Sequence, residues 1–130
     1  KFDLVTVNPP YFDTVSDAHH NLNEHLTIAR HEVTTSLETV IETASKLTKS
    51  GGKMTMVHRP DRLVDIFVLM RHYKLEPKRL QLVYPKRGKE ANIVLIEAMR
   101  DGKKALKTLP PFYVFNDEGT YTEEYLRLVY

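Results

Sequence analysis

Phe2-Asp3-Leu4-Val5-Thr6-Val7-Asn8-Pro9-Pro10-Tyr11-Phe12 is the stretch on which the fold turns. Phe2 to Val7 is almost wholly apolar or β-branched and alternates only weakly, the pattern of a strand covered on both faces in a parallel sheet. Consecutive prolines cannot donate to a ladder, so the strand stops at Asn8. Polar and aromatic residues placed there stand at the carboxyl end of a strand, where open α/β sheets hold their ligands.

Downstream, Asp13 to Thr27 is polar, contains several cap residues and holds no period, so it reads as a long loop. From about Ile28 the period becomes helical, with Val33, Leu37, Val40, Ile41, Ala44 and Leu47 on a core stripe that Gly51-Gly52 is expected to stop. Lys53 to His58 reads as a second strand; Pro60 closes it and can open a helix with Leu63, Ile66, Phe67, Met70 and Tyr73 on one face. Strands are expected at about Arg79 to Tyr84 and Asn92 to Met99, joined by a turn too short for a crossover, hence antiparallel neighbours. Phe112 to Phe115 and Thr120-Tyr121 flank a turn like a small hairpin, and Thr122-Glu123-Glu124 has the form of a capped helix start. The order strand, helix, strand, helix, strand, strand predicts an α/β fold: the C-terminal half of a doubly wound, Rossmann-like sheet ending in an antiparallel hairpin.

The chain has 130 residues, 42% hydrophobic and 28% charged, enough for one domain and too apolar for a disordered chain. Its longest uncharged apolar run, Ile66 to Met70, is far below the roughly 20 residues of a membrane span, so no membrane association is expected. With no cysteine there is no disulfide frame, thiolate nucleophile or Cys-bound metal, and a reducing cytoplasm is the expected compartment. His19, His20, His25 and His31 crowd one segment, but their spacing fits no standard zinc pattern, and no metal is expected. Charge is uneven: residues 1–51 carry 4 Lys/Arg and 7 Asp/Glu, residues 52–130 carry 15 and 10. A polyanion therefore fits the second part as a partner.

Asn8-Pro9-Pro10-aromatic has a chemical rationale of its own. An amide or exocyclic NH2 is a poor nucleophile because its lone pair is delocalised into the attached π system. Two acceptors aimed at its hydrogens localise that pair, and the Asn8 side-chain oxygen and Pro9 carbonyl are such acceptors. Pro10 fixes the turn without adding a competing donor. Tyr11 supplies a stacking face, worth about 1–3 kcal/mol per base, and Phe12 is a further candidate for lining that pocket. Arg59 and Arg62, beside the second strand's end, and Lys86, Arg87 and Lys89, in the turn between the third and fourth strands, are candidate phosphate contacts.

The motif resembles that of S-adenosylmethionine-dependent amino methyltransferases, a group whose targets include adenine N6, guanine N2 and protein glutamine. Ala29-Arg30-His31-Glu32, Ser50-Gly51-Gly52-Lys53, Val57 to Leu63, Tyr73 to Arg79, Glu90-Ala91-Asn92, Leu109-Pro110-Pro111 and Tyr121-Thr122-Glu123 are similar to the bacterial tRNA(Val) adenine N6-methyltransferase family. The resemblance implies S-adenosylmethionine as cofactor, with Asn8 among the residues that bind it, and tRNA as partner. It also implies that residues 1–130 are one partial domain, lacking the N-terminal half that carries most of the cofactor site, and that this piece alone is inactive. Gly51-Gly52 follows a helix and precedes a strand, the wrong context for a cofactor loop. Methylation of protein glutamine or guanine N2, or a non-catalytic RNA-binding module, are the alternative readings.

Overall fold

The computed structural model describes residues 1–8 and 37–129. Strand β1 (Phe2–Val7) lies parallel to β2 (Thr48–His58). Helix α1, described over residues 37–47, leads directly into β2. A 3-10 turn (Pro60–Arg62) opens α2 (Leu63–His72), which returns the chain to β3 (Leu75–Tyr84). β4 (Ile93–Arg100) follows, then two short strands, β5 (Lys107–Thr108) and β6 (Phe112–Tyr113), and a final helix α3 (Glu123–Val129).

The sheet runs β1-β2-β4-β3-β5, with β6 also on β3. β4 is antiparallel to both β2 and β3, so β2 and β3 are parallel to each other yet separated by a strand that comes later in the chain. The expected partial doubly wound sheet with a terminal antiparallel pair is therefore what forms. Its core lies on one face: Met54 and Met56 of β2, Val94, Ile96 and Ala98 of β4, and Leu75 and Leu80 of β3 pack with Leu37, Ile41 and Ala44 of α1 and Ile66 and Met70 of α2. The predicted α2 face holds in full, because Leu63, Phe67 and Tyr73 also pack against this cluster.

Several expectations are corrected. Gly51-Gly52 does not stop α1. The helix ends at residue 47, and its last carbonyls are met by side chains: Thr48 Oγ1 donates to the Ala44 carbonyl at 2.7 Å, and the Arg100 guanidinium donates to the Ser45 carbonyl and, at 3.2 Å, to that of Thr48. The glycines instead form a bulge inside β2. Phe2 pairs with Thr48 but Leu4 with Lys53, so the β2 side carries extra residues there. Gly51 has φ +83°, and a Cβ on Gly52 would sit 2.9 Å from the Lys49 carbonyl oxygen and 3.1 Å from that of Asp3.

β1 is not covered on both faces: Val5 and Val7 pack on the core, while Phe2 and Leu4 are more than half exposed. Leu47 lies outside the core stripe and is exposed, and Val33 lies outside the described residues. β3 begins at Leu75 rather than Arg79, because Pro77 is accommodated where the β3–β4 register shifts. The C-terminal hairpin is reduced to a single antiparallel bridge, Phe115 to Tyr121, since Phe112–Tyr113 pairs with β3. The helix start is as read: Thr122 Oγ1 accepts the Tyr125 N–H at 3.2 Å. Among the described residues, no helix is long and apolar enough to cross a membrane.

Candidate functional site

The carboxyl ends of β1, β2 and β3 come out on one edge of the sheet, because these three strands share a direction. Val7 pairs with Met56, His58 with Val94 and Leu82 with Val94, so Asn8, the exit from β2 and the turn between β3 and β4 belong to the same end. Asn8 is exposed there. Pro9, Pro10, Tyr11 and Phe12 lie outside the described residues, as do the four clustered histidines.

His58, buried at the end of β2, accepts the Arg59 backbone N–H on Nδ1 at 2.8 Å. That bond assigns the ring proton, when the imidazole is neutral, to Nε2 and fixes the direction in which the chain leaves the strand. Arg59 then holds Asp61 through Nη2 at 2.6 Å, and Arg62 holds Asp65 through Nε at 3.1 Å. Both guanidiniums are thus organised by carboxylates of the first helical turns, which dilutes their net charge without removing their donors.

A cleft of about 590 Å³ opens between this exit and the β3–β4 turn, lined by Arg59, Pro60, Asp61, Leu63, Leu82, Glu90, Ala91 and Asn92. It brings Arg59 to the turn that carries Lys86, Arg87 and Lys89. Glu90 and Asn92 carried part of the family resemblance but were not among the candidate site residues. Asn92 donates its backbone N–H to the Val83 carbonyl at 3.0 Å, which closes the turn, and only strand pairing brings it opposite Arg59.

Arg87 Nη2 lies 2.7 Å from Asp117 Oδ2, tying the turn to the C-terminal appendage. The Arg87 guanidinium, by hydrogen bond first and charge second, holds the Asp117 carboxyl below its usual range. Lys86 and Lys89 are exposed. The appendage is built on rings: Tyr121 stacks on Phe115 and Tyr125 with centroids 5.0 and 4.7 Å away, and Tyr84 meets Tyr113 at 5.4 Å. These aromatics serve packing. A comparable groove of about 570 Å³, beside Phe67, Val68 and Leu106, lies near the amino end of β3, away from the edge that carries Asn8.

A cofactor cradle is not found among the described residues. Gly51 and Gly52 sit in the β2 bulge at the far end of the strand, where Gly51 takes a positive φ and Gly52 is crowded by the carbonyl oxygens of Lys49 and Asp3. No group of three or more His, Cys, Asp or Glu is placed to hold a metal ion among the described residues.

No family model matches the chain. Over 98% of its length it is 33% identical to the tRNA1(Val) (adenine(37)-N6)-methyltransferase of Porphyromonas gingivalis, in two strains, and it spans about half, 50%, of the length of these curated relatives. A solved structure titled as a predicted O-methyltransferase from Agrobacterium tumefaciens matches with TM-score 0.73, covering 98% of this chain and 50% of its own, at 21% identity. The M1.HpyAVI–SAM complex matches with TM-score 0.50 over 86% of this chain and 56% of its own, at 12% identity. What these structures share with the chain is the fold, an open mixed α/β sheet.

Proposed function

We propose that this chain is the amine-binding, C-terminal half of an S-adenosylmethionine-dependent methyltransferase acting on the exocyclic N6 of an adenine in tRNA. The observation that carries this reading is Asn8, exposed at the carboxyl end of a parallel strand and followed in sequence by Pro9-Pro10-Tyr11. The 33% identity to a tRNA adenine N6-methyltransferase over 98% of the chain supports the choice of substrate.

In this reading the Asn8 side-chain oxygen and the Pro9 carbonyl accept the two amine hydrogens and draw the nitrogen towards tetrahedral geometry. Pro10 holds the carbonyl direction, Tyr11 stacks on the target base, and Phe12 lines its pocket. S-adenosylmethionine supplies an electrophilic methyl group. Its cradle belongs to residues outside this chain, which agrees with the chain's half-length match to its relatives. Arg59, Arg62, Lys86, Arg87 and Lys89 meet RNA phosphates around the cleft. Among them Lys86 and Lys89 form no ion pair among the described residues, whereas Arg59, Arg62 and Arg87 share their charge with Asp61, Asp65 and Asp117. A tRNA substrate favours the cytoplasm as the place of action.

The complete protein, given tritiated-methyl S-adenosylmethionine with unmodified tRNA, ribosomal RNA or a peptide-chain release factor, is expected to label adenine N6 in tRNA. Label confined to guanine or to protein glutamine would overturn the substrate assignment.

A further inference from the structure

Residues 71–107 carry eleven Lys/Arg and four Asp/Glu, a net of +7 in a chain whose total is +2, so the remainder carries −5. The arginines of this segment are matched: Arg71 with Glu76 at 2.5 Å, Arg79 with Glu97 at 3.8 Å, Arg87 with Asp117 at 2.7 Å and Arg100 with Asp101 at 3.8 Å. The lysines differ. Lys86, Lys89, Lys103, Lys104 and Lys107 are exposed, and none has an ion-pair partner among the described residues.

The fold gathers these lysines in two groups towards the two ends of one sheet edge. Lys78 Nζ donates to the Lys103 carbonyl at 2.7 Å, Lys107 and Thr108 pair with Arg79 and Leu80, and the Leu109 N–H donates to the Leu80 carbonyl at 2.8 Å. Gln81 Nε2 donates to the Pro110 carbonyl at 3.0 Å, and Phe112 and Tyr113 pair with Val83 and Tyr84. The segment from Lys103 onward is therefore fastened along the outer edge of β3, about 20 Å from the level of Lys78 to that of Tyr84 at ~3.3 Å per residue. Its far end reaches the Lys86–Lys89 turn, beside the cleft on the edge that carries Asn8.

We propose that this outer edge of β3, from Lys103, Lys104 and Lys107 to Lys86 and Lys89, is a track for the phosphate backbone of the RNA beyond the target loop. The inference rests on the reading of the substrate as tRNA and adds the surface that holds the rest of that molecule. Lysine suits such a track, because a compact point charge on a flexible stem fixes a backbone without reading bases. Several consecutive phosphates fit along such a length, and each neutralised phosphate releases counterions, so the contact is strongly salt-dependent. Lysines on a sheet edge can also serve only to block edge-to-edge pairing, which predicts a different result.

The test is the triple variant Lys103→Ala/Lys104→Ala/Lys107→Ala in the complete protein, with binding of unmodified tRNA and of a short hairpin containing the target loop followed across a salt series. The expected result is tRNA affinity weaker by about tenfold at low salt and a log–log salt slope reduced by about 2–3, at roughly 0.7–0.9 per phosphate contact. Hairpin affinity and kcat stay within about twofold. Unchanged tRNA affinity and slope would overturn the proposal, as would a variant that aggregates while its soluble fraction keeps wild-type affinity. If tRNA binding depends on the three lysines but the wild type methylates no RNA, the track stands and the substrate reading falls.

Discussion

Arg87, in the turn that leaves β3, donates to Asp117, in the turn after β6, at 2.7 Å across thirty residues of sequence. The pair fastens the appendage to the edge of the sheet that carries Asn8 and partly neutralises the basic turn. Replacing Asp117 by Asn removes one negative charge and releases Arg87 for phosphate. We expect RNA affinity at low salt to rise by about two- to threefold, with a steeper salt slope, as a fluorescence-anisotropy titration would read.

The same pair has a defined pH window. Asp117 titrates below its ordinary value of 3.8, with Arg87 as the first cause. A carboxyl with a lowered folded pKa gives its full stabilisation above the unfolded value and loses it as pH falls through the lowered one. Between pH 8 and 5, therefore, the distance between these turns, read from a pair of labels, should not change with pH.

Gly51 and Gly52 are adjacent, yet their substitutions should differ. Gly51 has φ +83° with open space around its Cβ position, so Gly51→Ala carries only the left-handed conformational cost, about 1–2 kcal/mol. Gly52→Ala drives a methyl against two backbone oxygens, one of them on β1, and must shift that strand, at a cost of about 1–3 kcal/mol. In urea unfolding, Gly52→Ala is expected also to perturb β1, seen as faster amide exchange at Leu4 and Val5, whereas Gly51→Ala leaves those amides protected.

Arg100 caps α1 from the sheet. Its guanidinium serves the carbonyls of Ser45 and Thr48, and no glycine stop replaces it. Arg100→Ala leaves those acceptors without this donor and is expected to cost about 1.5–3 kcal/mol by denaturant unfolding, with Arg100→Lys recovering part of the loss.

Particular residues explain why the sequence was legible in some places and opaque in others. The α2 face from Leu63 to Tyr73 could be read because a single period of apolar residues meets a single neighbour, the core face of the sheet. Gly51-Gly52 misled because a helix stop and a strand bulge both use left-handed glycine, and only the register of β2 against β1, Thr48 on Phe2 but Lys53 on Leu4, tells them apart. The left-handed residue after α2 is Lys74, φ 69°, which carries no glycine signal. Pro77 hid the first part of β3. Strand order was written locally only in part: the short turn makes β3 and β4 antiparallel neighbours, but that β4 slots between β2 and β3 was not, and the cleft joining Arg59 to Asn92 follows from that order. Asn8 could be placed at a strand end because the prolines after it fix where the ladder stops.

The proposed reaction turns on Asn8 holding the target amine. Its most direct test is single-turnover methyl transfer to unmodified tRNA by the complete protein carrying Asn8→Ala. Because Asn8 is exposed and outside the core, the variant should unfold at the wild-type denaturant midpoint and keep wild-type tRNA affinity. If Asn8 orients the amine, the rate falls by about 10²–10³-fold, the loss typical of removing one preorganised polar group from a transition state. A rate within about threefold of the wild type, in a folded protein that still binds tRNA, would contradict that role.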